Sequence, residues 1–202
     1  MRVLVACEFS GVVRDAFIRR GHDAWSCDLL PTESPGPHHQ CPIEDILPEH
    51  PEENEWDLMI CHPPCTHLAV SGARYFPEKR ADGRQQSALE FVRRLLDAPI
   101  PRIALENPVS IISTQIRKPD QIIQPWEYGH PESKKTCIWL KNLGPLKPTD
   151  ILRAPASGKW SNQTPSGQNK IGPSPDRWKK RSVTYPGIAE AMADQWGGGR
   201  IP

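Results

Sequence analysis

Two short stretches of this 202-residue chain place reactive side chains directly after apolar runs. In Leu58-Met59-Ile60-Cys61-His62-Pro63-Pro64-Cys65-Thr66-His67 a run of apolar residues meets a double proline and then a thiol, the pattern of a buried strand ending in a rigid loop. In Ile103-Ala104-Leu105-Glu106-Asn107-Pro108 a second apolar run ends in a carboxylate before a proline. A thiolate can add covalently to an electrophilic carbon, and a carboxyl group beside the same substrate can stabilise the charge that addition creates. Each residue also has a plainer reading. A free cysteine is often just a small buried hydrophobe, and a glutamate at a strand end can simply be solvated.

The elements that must position these groups follow from periodicity. Arg2–Ala6 reads as a strand, Phe9-Ser10-Gly11 as a small-residue turn, and Val12, Val13, Ala16 and Phe17 as one face of a helix stopped at Gly21. Asp23–Asp28 is a second strand ending in a carboxylate, which completes a βαβ unit. Residues 31–42, rich in Pro, His and Gly, are expected to be loop, and 56–61 the next strand. Residues 66–83 show no clean period. Ser87, Leu89, Phe91, Val92, Leu95 and Leu96 then mark an amphipathic helix stopped by Pro99 and Pro101. After the strand at 103–108 comes a later one at 136–140, introduced by Lys134-Lys135, and residues 187–196 form a closing helix ended by Gly197. Strands alternating with helices predict a doubly wound α/β domain whose ligands lie along the carboxyl edge of the sheet.

Composition sets the outer bounds. The length suits one domain with a small lobe: an α/β core over 1–143, a small basic loop or lobe over 144–181, and a segment with a helix over 182–202 that returns to the core. A net charge of +1 gives no global nucleic-acid signature, so any such footprint must be local. Lys159, Trp160, Gln163, Asn169, Lys170, Arg177, Trp178, Lys179, Lys180 and Arg181 interleave cations with aromatics and amides, which suits phosphates and unstacked bases. The six cysteines form no regular framework and are expected to be reduced. The opening apolar run meets Glu8 too soon for a signal peptide or membrane span, so the expected setting is cytoplasmic, with no membrane and no obligatory protein partner.

The order of these features resembles that of the DNA cytosine C5 methyltransferases, in particular their short, phage-type members. The carriers are Phe9-Ser10-Gly11, Asp28, Asp45, Pro63-Pro64-Cys65 and Glu106-Asn107-Pro108, spread over most of the chain. The resemblance implies a Rossmann-like sheet of the class I S-adenosylmethionine-dependent methyltransferase type with a small irregular C-terminal lobe. It also implies methyl transfer from S-adenosylmethionine to cytosine in double- or single-stranded DNA, with low or short sequence specificity. Cys65 would be the nucleophile and Glu106 the carboxyl group at the ring nitrogen, with Asn107 beside the base bracing the loop. Lys135 (with Lys134) or Arg117 would supply the basic residue that steadies the cytosine. Phe9, Ser10, Gly11 and Pro63 would line the donor, Asp28 would hold its ribose and Asp45 would stand near its adenine. Residues 182–186 and the helix after them resemble the family's last motif. The sequence departs from the family at Val12-Val13-Arg14, where further glycine is usual, and at His62 and His67, where a glycine and an apolar residue are usual.

Two other readings stay open at this level. Cys61, His62, Cys65 and His67, with His38, His39 and Cys41 upstream, could belong to a zinc-stabilised nucleic-acid-binding protein without enzymatic activity, although no Cys-x2-Cys pair is present. Alternatively the Cys65 and Glu106 chemistry could attach another one-carbon unit, or act on a nucleotide.

Overall fold

Seven strands form one sheet in the order β3-β2-β1-β4-β5-β7-β6. The computed structural model describes residues 1–167, 169–172 and 174–198. Along the chain the strands are β1 (Arg2–Ala6), β2 (Asp23–Asp28), β3 (His38–Gln40), β4 (Leu58–Cys61), β5 (Ile103–Pro108), β6 (Gln121–Ile123) and β7 (Thr136–Lys141). The helices are α1 (Val12–Arg19), α2 (Phe76–Ala81), α3 (Arg84–Asp97), α4 (Ile112–Gln115), α5 (Arg177–Ser182) and α6 (Pro186–Trp196). This is the doubly wound, Rossmann-like α/β architecture expected from the sequence. Strands β3, β2, β1, β4 and β5 run parallel, and β7 enters antiparallel to both β5 and β6.

The central strands are continuous apolar runs because helices cover both faces. Every residue of β4, and Val3 to Ala6 of β1, is buried. On one face Val3, Val5, Leu58 and Ile60 pack against Phe17 of α1 and Ile188, Met192 and Trp196 of α6. On the other, Leu4, Met59, Ile103, Leu105 and Trp139 pack against Leu89, Val92 and Leu95 of α3. Burying a large aliphatic side chain contributes roughly 1.5–3 kcal/mol, so these two layers dominate the stabilising side of the balance.

Register then sets the rim. Ala6 pairs with Cys27 and with Cys61, and Cys61 pairs with Leu105. The next residue on each strand, Cys7, Asp28, His62 and Glu106, therefore falls in one row at the carboxyl edge. Because β7 is antiparallel, its beginning reaches the same edge: Thr136 pairs with Pro108, and Ile138 with Glu106.

Three local outcomes differ from expectation. Residues 31–42 are not all loop, since His38–Gln40 pairs in parallel with β2. The Pro- and Gly-rich context hid a strand too short to show a period. Residues 66–83 hold a 3-10 segment, Val70–Tyr75, and α2. β6 is a three-residue edge strand with no sequence signal of its own.

The unusual Val12-Val13-Arg14 has a structural cause. Arg14 is wholly buried, and its guanidinium donates to Ser34 O at 2.9 Å, Ser26 Oγ at 3.1 Å, Thr32 Oγ1 at 3.2 Å and Asp15 Oδ1 at 2.8 Å. Gly11 has φ +75°, and a Cβ there would come within 2.5 Å of Arg14 Nη2. The turn is thus shaped around an internal cation that ties α1 to the loop after β2. Arg14→Leu should lower the unfolding free energy by about 3 kcal/mol in urea titration, because the carboxylate, hydroxyls and carbonyls around it lose their donor. A loss below about 0.5 kcal/mol would show that the cluster does not hold the loop.

Candidate active site

Four elements meet at the carboxyl rim. The proline loop leaves β4, and its path is fixed by Asn107 at the end of β5, whose Nδ2 donates to Pro63 O at 2.8 Å inside the protein. Asn107 thus joins the two stretches that carry the thiol and the carboxylate. Beyond the prolines, Cys65 O accepts from the backbone amides of Leu68 and Ala69 at 3.0 and 2.9 Å, which ends the loop in a tight turn. Cys65 is partly buried, and Pro64 beside it is exposed.

Glu106 and Cys65 share one electrostatic environment. Burial, followed by the charge of Glu106, pushes the Cys65 thiol above its ordinary range, while Lys134 and Arg181 pull it partly back. For Glu106, burial works to raise the carboxyl pKa. The hydrogen bond with His62, the charges of Lys134 and His62, and the hydrogen bond with Thr136 outweigh that, so it lies below the usual carboxylate range. His62 Nδ1 is 3.1 Å from Glu106 Oε2, and both side chains are largely buried, 8% and 13% exposed. The sequence alone did not assign His62 to Glu106. The only hint was a histidine where the methyltransferases that the sequence resembles carry glycine.

Of the basic candidates, Lys134 reaches the site. It lines a small hollow with Glu106, Thr136, Thr184 and Tyr185, and its Nζ donates to Arg181 O at 3.0 Å. Lys135, its neighbour, is exposed, as expected where successive residues of an extended chain point to opposite sides. Arg117 is not brought to the site. It pairs with Asp120 at 2.6 Å and donates to Leu140 O at 2.9 Å. Leu140 pairs with Ala104, toward the amino end of β5 and away from the Glu106 rim.

The residues that the sequence resemblance assigns to a donor lie over β1 and β2. The chain turns at Cys7, in the left-handed region, and the buried Glu8 accepts from the amides of Val13 and Arg14 at 2.7 and 3.1 Å and from Ser10 Oγ at 3.2 Å. A helix N-terminus facing a sheet edge usually suits a phosphate. Here the protein's own carboxylate fills it, so a phosphate group placed there would meet repulsion. Asp28, half-buried at the end of β2, accepts from Leu30 N at 2.9 Å. Asp45 is exposed on a 3-10 turn at Ile43–Asp45 after β3. Phe9 is buried, with Trp178 edge-on at 6.2 Å and Lys179 Nζ over its ring at 5.3 Å.

The basic segment is therefore divided. Lys179 pairs with Glu33 at 2.6 Å and is held over Phe9, whereas Trp178, edge-on to the same ring, remains largely exposed. Lys170 Nζ donates to Ser161 O at 2.7 Å, and Gln163 Oε1 accepts from Trp160 N at 2.9 Å. Asn169 bridges Gln163 through the backbone, and Arg177 is partly buried. Lys159, Lys180 and Arg181 are exposed. Trp160 stacks parallel on Trp126, 5.8 Å between centroids, adding an aromatic that the sequence reading passed over because it lies outside the basic segment. Asn162 docks the segment by a pair of hydrogen bonds to the backbone of Ser133, at 2.9 and 3.0 Å, next to Lys134.

A larger cavity of about 380 Å³ opens beside this site, between Pro64, His67 and the start of α3. Among the described residues no three His, Cys, Asp or Glu side chains are grouped to hold a metal ion, and none of the helices is long and apolar enough to cross a membrane.

No family model matches the chain, and no curated protein is significantly similar to it. Among solved structures, an E. coli protein described as a "putative DNA modification methyltransferase encoded within prophage" is similar at 15% identity and a TM-score of 0.49, over 78% of this chain and 53% of its own. This chain thus spans about half the length of that protein. The functional reading rests on the site itself.

The shared electrostatics of Cys65 can be measured by alkylation. At neutral pH iodoacetamide should modify Cys65 more slowly than a free thiol, with the rate rising about tenfold per pH unit until the thiol is ionised. Glu106→Gln should move this profile to lower pH and Lys134→Ala to higher pH, read by peptide mass spectrometry. Profiles that do not move would show that the three groups are not coupled.

Proposed function

We propose that the protein transfers a methyl group from S-adenosylmethionine to C5 of cytosine in DNA through a covalent adduct at Cys65. One observation supports the reading: the Asn107–Pro63 hydrogen bond ties the Pro-Pro-Cys loop to the strand end that bears Glu106, and the Glu106 charge acts on the Cys65 thiol. Phe9, Ser10, Gly11, Asp28, Asp45 and Pro63 are the residues that would hold the donor, which brings an electrophilic methyl group on a sulfonium.

The chain's own part in the reaction follows from cytosine's chemistry. C5 is a poor nucleophile until the Cys65 thiolate forms a bond to C6; the C5–C6 π pair then moves toward C4, and N3 gains electron density. Glu106 stabilises that density by a hydrogen bond at N3. C5 can now take the methyl group, and loss of its proton to solvent expels Cys65 and restores the ring. In the free protein the thiol rests protonated, because burial and the Glu106 charge both oppose ionisation. A base that engages Glu106 removes one of these obstacles. Lys134 offers a cation beside the same hollow, though as a point charge rather than a planar fork.

A duplex substrate requires the cytosine to leave the stack. Residues 144–181, with Lys159, Trp160, Lys170, Arg177, Lys180 and Arg181, together with Lys179 on the donor side and Asn107 beside the base, would form the substrate side. So small a segment can read few base pairs, hence low sequence specificity.

Incubation with DNA containing 5-fluorocytosine and S-adenosylmethionine should trap a covalent complex that maps to Cys65 and is absent in Cys65→Ser. Absence of any adduct while the donor binds would sink the reading. Glu106→Gln should keep the fold and donor affinity but lose roughly 10²–10³-fold in turnover. Replacing Lys159 and Lys180 together by Ala should weaken DNA binding and reduce the slope of log affinity against log salt by about two; an unchanged slope would take these lysines off the phosphates.

A further inference from the structure

The His62–Glu106 pair lies inside the proposed site, yet the chemistry above leaves half of it unused. His62 continues β4 by one residue, its backbone amide donating to Ala6 O at 2.9 Å, so register with β1 and β5 fixes where its ring can go. The ring is 8% exposed, Nδ1 meets Glu106 Oε2 at 3.1 Å, and Nε2 is buried with no hydrogen-bond partner. A buried, unpartnered ring nitrogen carries a real cost, which a core position would avoid by carrying an apolar residue. Because Glu106 is held as a carboxylate, the proton between the two belongs to Nδ1, which donates.

That assignment exposes a gap. Addition of a thiolate to C6 raises the electron density at N3, and an ionised carboxylate has no proton to donate there. We propose that His62 is the positioning residue of the site: it holds Glu106 through Oε2 and lends it a proton during the reaction. The inference rests on the cytosine C5 reading. In the balanced step, imidazolium His62 passes its Nδ1 proton to the Glu106 carboxylate, leaving neutral imidazole with its hydrogen on Nε2, and the Cys65 thiol loses its proton to solvent. The Cys65 sulfur pair then forms the S–C6 bond, the C5–C6 π pair becomes C4–C5, and the former C4–N3 π pair takes the proton from Glu106, which is again a carboxylate. When Cys65 is expelled after methyl transfer, the N3 proton returns along the same path, and the C5 hydrogen leaves to solvent as already described. The transfer also removes negative charge beside the thiol as Cys65 must ionise, so one proton serves both groups.

The groups that face the pair come from three other elements. They are Lys134 and Thr136 at the start of β7, Cys137 on β7, and Cys65 in the proline loop, with Arg181 at the end of α5 acting on Cys65. Lys134 stabilises the carboxylate but is tethered to Arg181 O. Among these groups only His62 meets Glu106 through a ring nitrogen at hydrogen-bond distance.

Two substitutions separate holding from proton transfer. His62→Asn places an amide donor near the position of Nδ1 but cannot release a proton, whereas His62→Ala removes both functions. His62→Asn should retain DNA and donor affinity within about twofold, lose roughly 10²-fold in turnover, and shed one ionisation from its pH–rate profile. His62→Ala should lose at least as much. Turnover and profile of His62→Asn equal to wild type would overturn the proton role. An independent arm needs no activity: in the nitrogen-15 spectrum of the imidazole, Glu106→Gln should shift the His62 titration to lower pH, and an unmoved titration would overturn the pairing. If the wild type forms no 5-fluorocytosine adduct while this coupling persists, the cytosine reading has failed and the pair has not.

Discussion

Parallel pairing of β1, β4 and β5 is the constraint on which the site depends. With Ala6 opposite Cys61 and Cys61 opposite Leu105, the first residues past the buried row must line up. Side chains alternate with period two, so a slip of one residue would send His62 and Glu106 to opposite faces. Helices on both faces prevent the slip, since every residue of β4 is buried and none could move to solvent without exposing apolar surface.

On that frame the polar groups are arranged by cost. Each buried charge has a partner: Arg14 has Asp15 and a ring of hydroxyls and carbonyls, Glu8 has the amides that open α1, and Glu106 has His62, with the Lys134 charge close by. Burial without such partners would carry a large desolvation cost. The partners also assign roles. Glu8 occupies the amides that open α1, while burial and then the Glu106 charge keep the nearby Cys65 thiol protonated.

The C-terminal part links the two halves of the site. α6 packs on α1, and α5 sets Trp178 and Lys179 over Phe9. The end of α5 supplies the carbonyl that holds Lys134 beside Glu106. One short basic helix thus links the Phe9 turn to the Glu106 rim, and its cations are partly committed within the protein.

Much of this was legible in the sequence, for definite reasons. Apolar runs broken by Asp28, by Pro63-Pro64-Cys65 and by Glu106-Asn107 mark buried strands and their polar ends, because a strand covered on both faces tolerates polar residues only where it leaves the core. Strand–helix alternation did the same for the doubly wound fold. Tertiary structure alone decided which side chains meet. That Lys134 rather than Lys135 faces Glu106 depends on the antiparallel entry of β7, and Arg117 is held at the other end of that strand by Asp120. The burial of Arg14 depends on a loop some twenty residues further on, and the meeting of His62 with Glu106 bridges 44 positions of sequence through strand register. Local patterning determines which face a residue prefers; only the pairing of distant strands determines what stands opposite it.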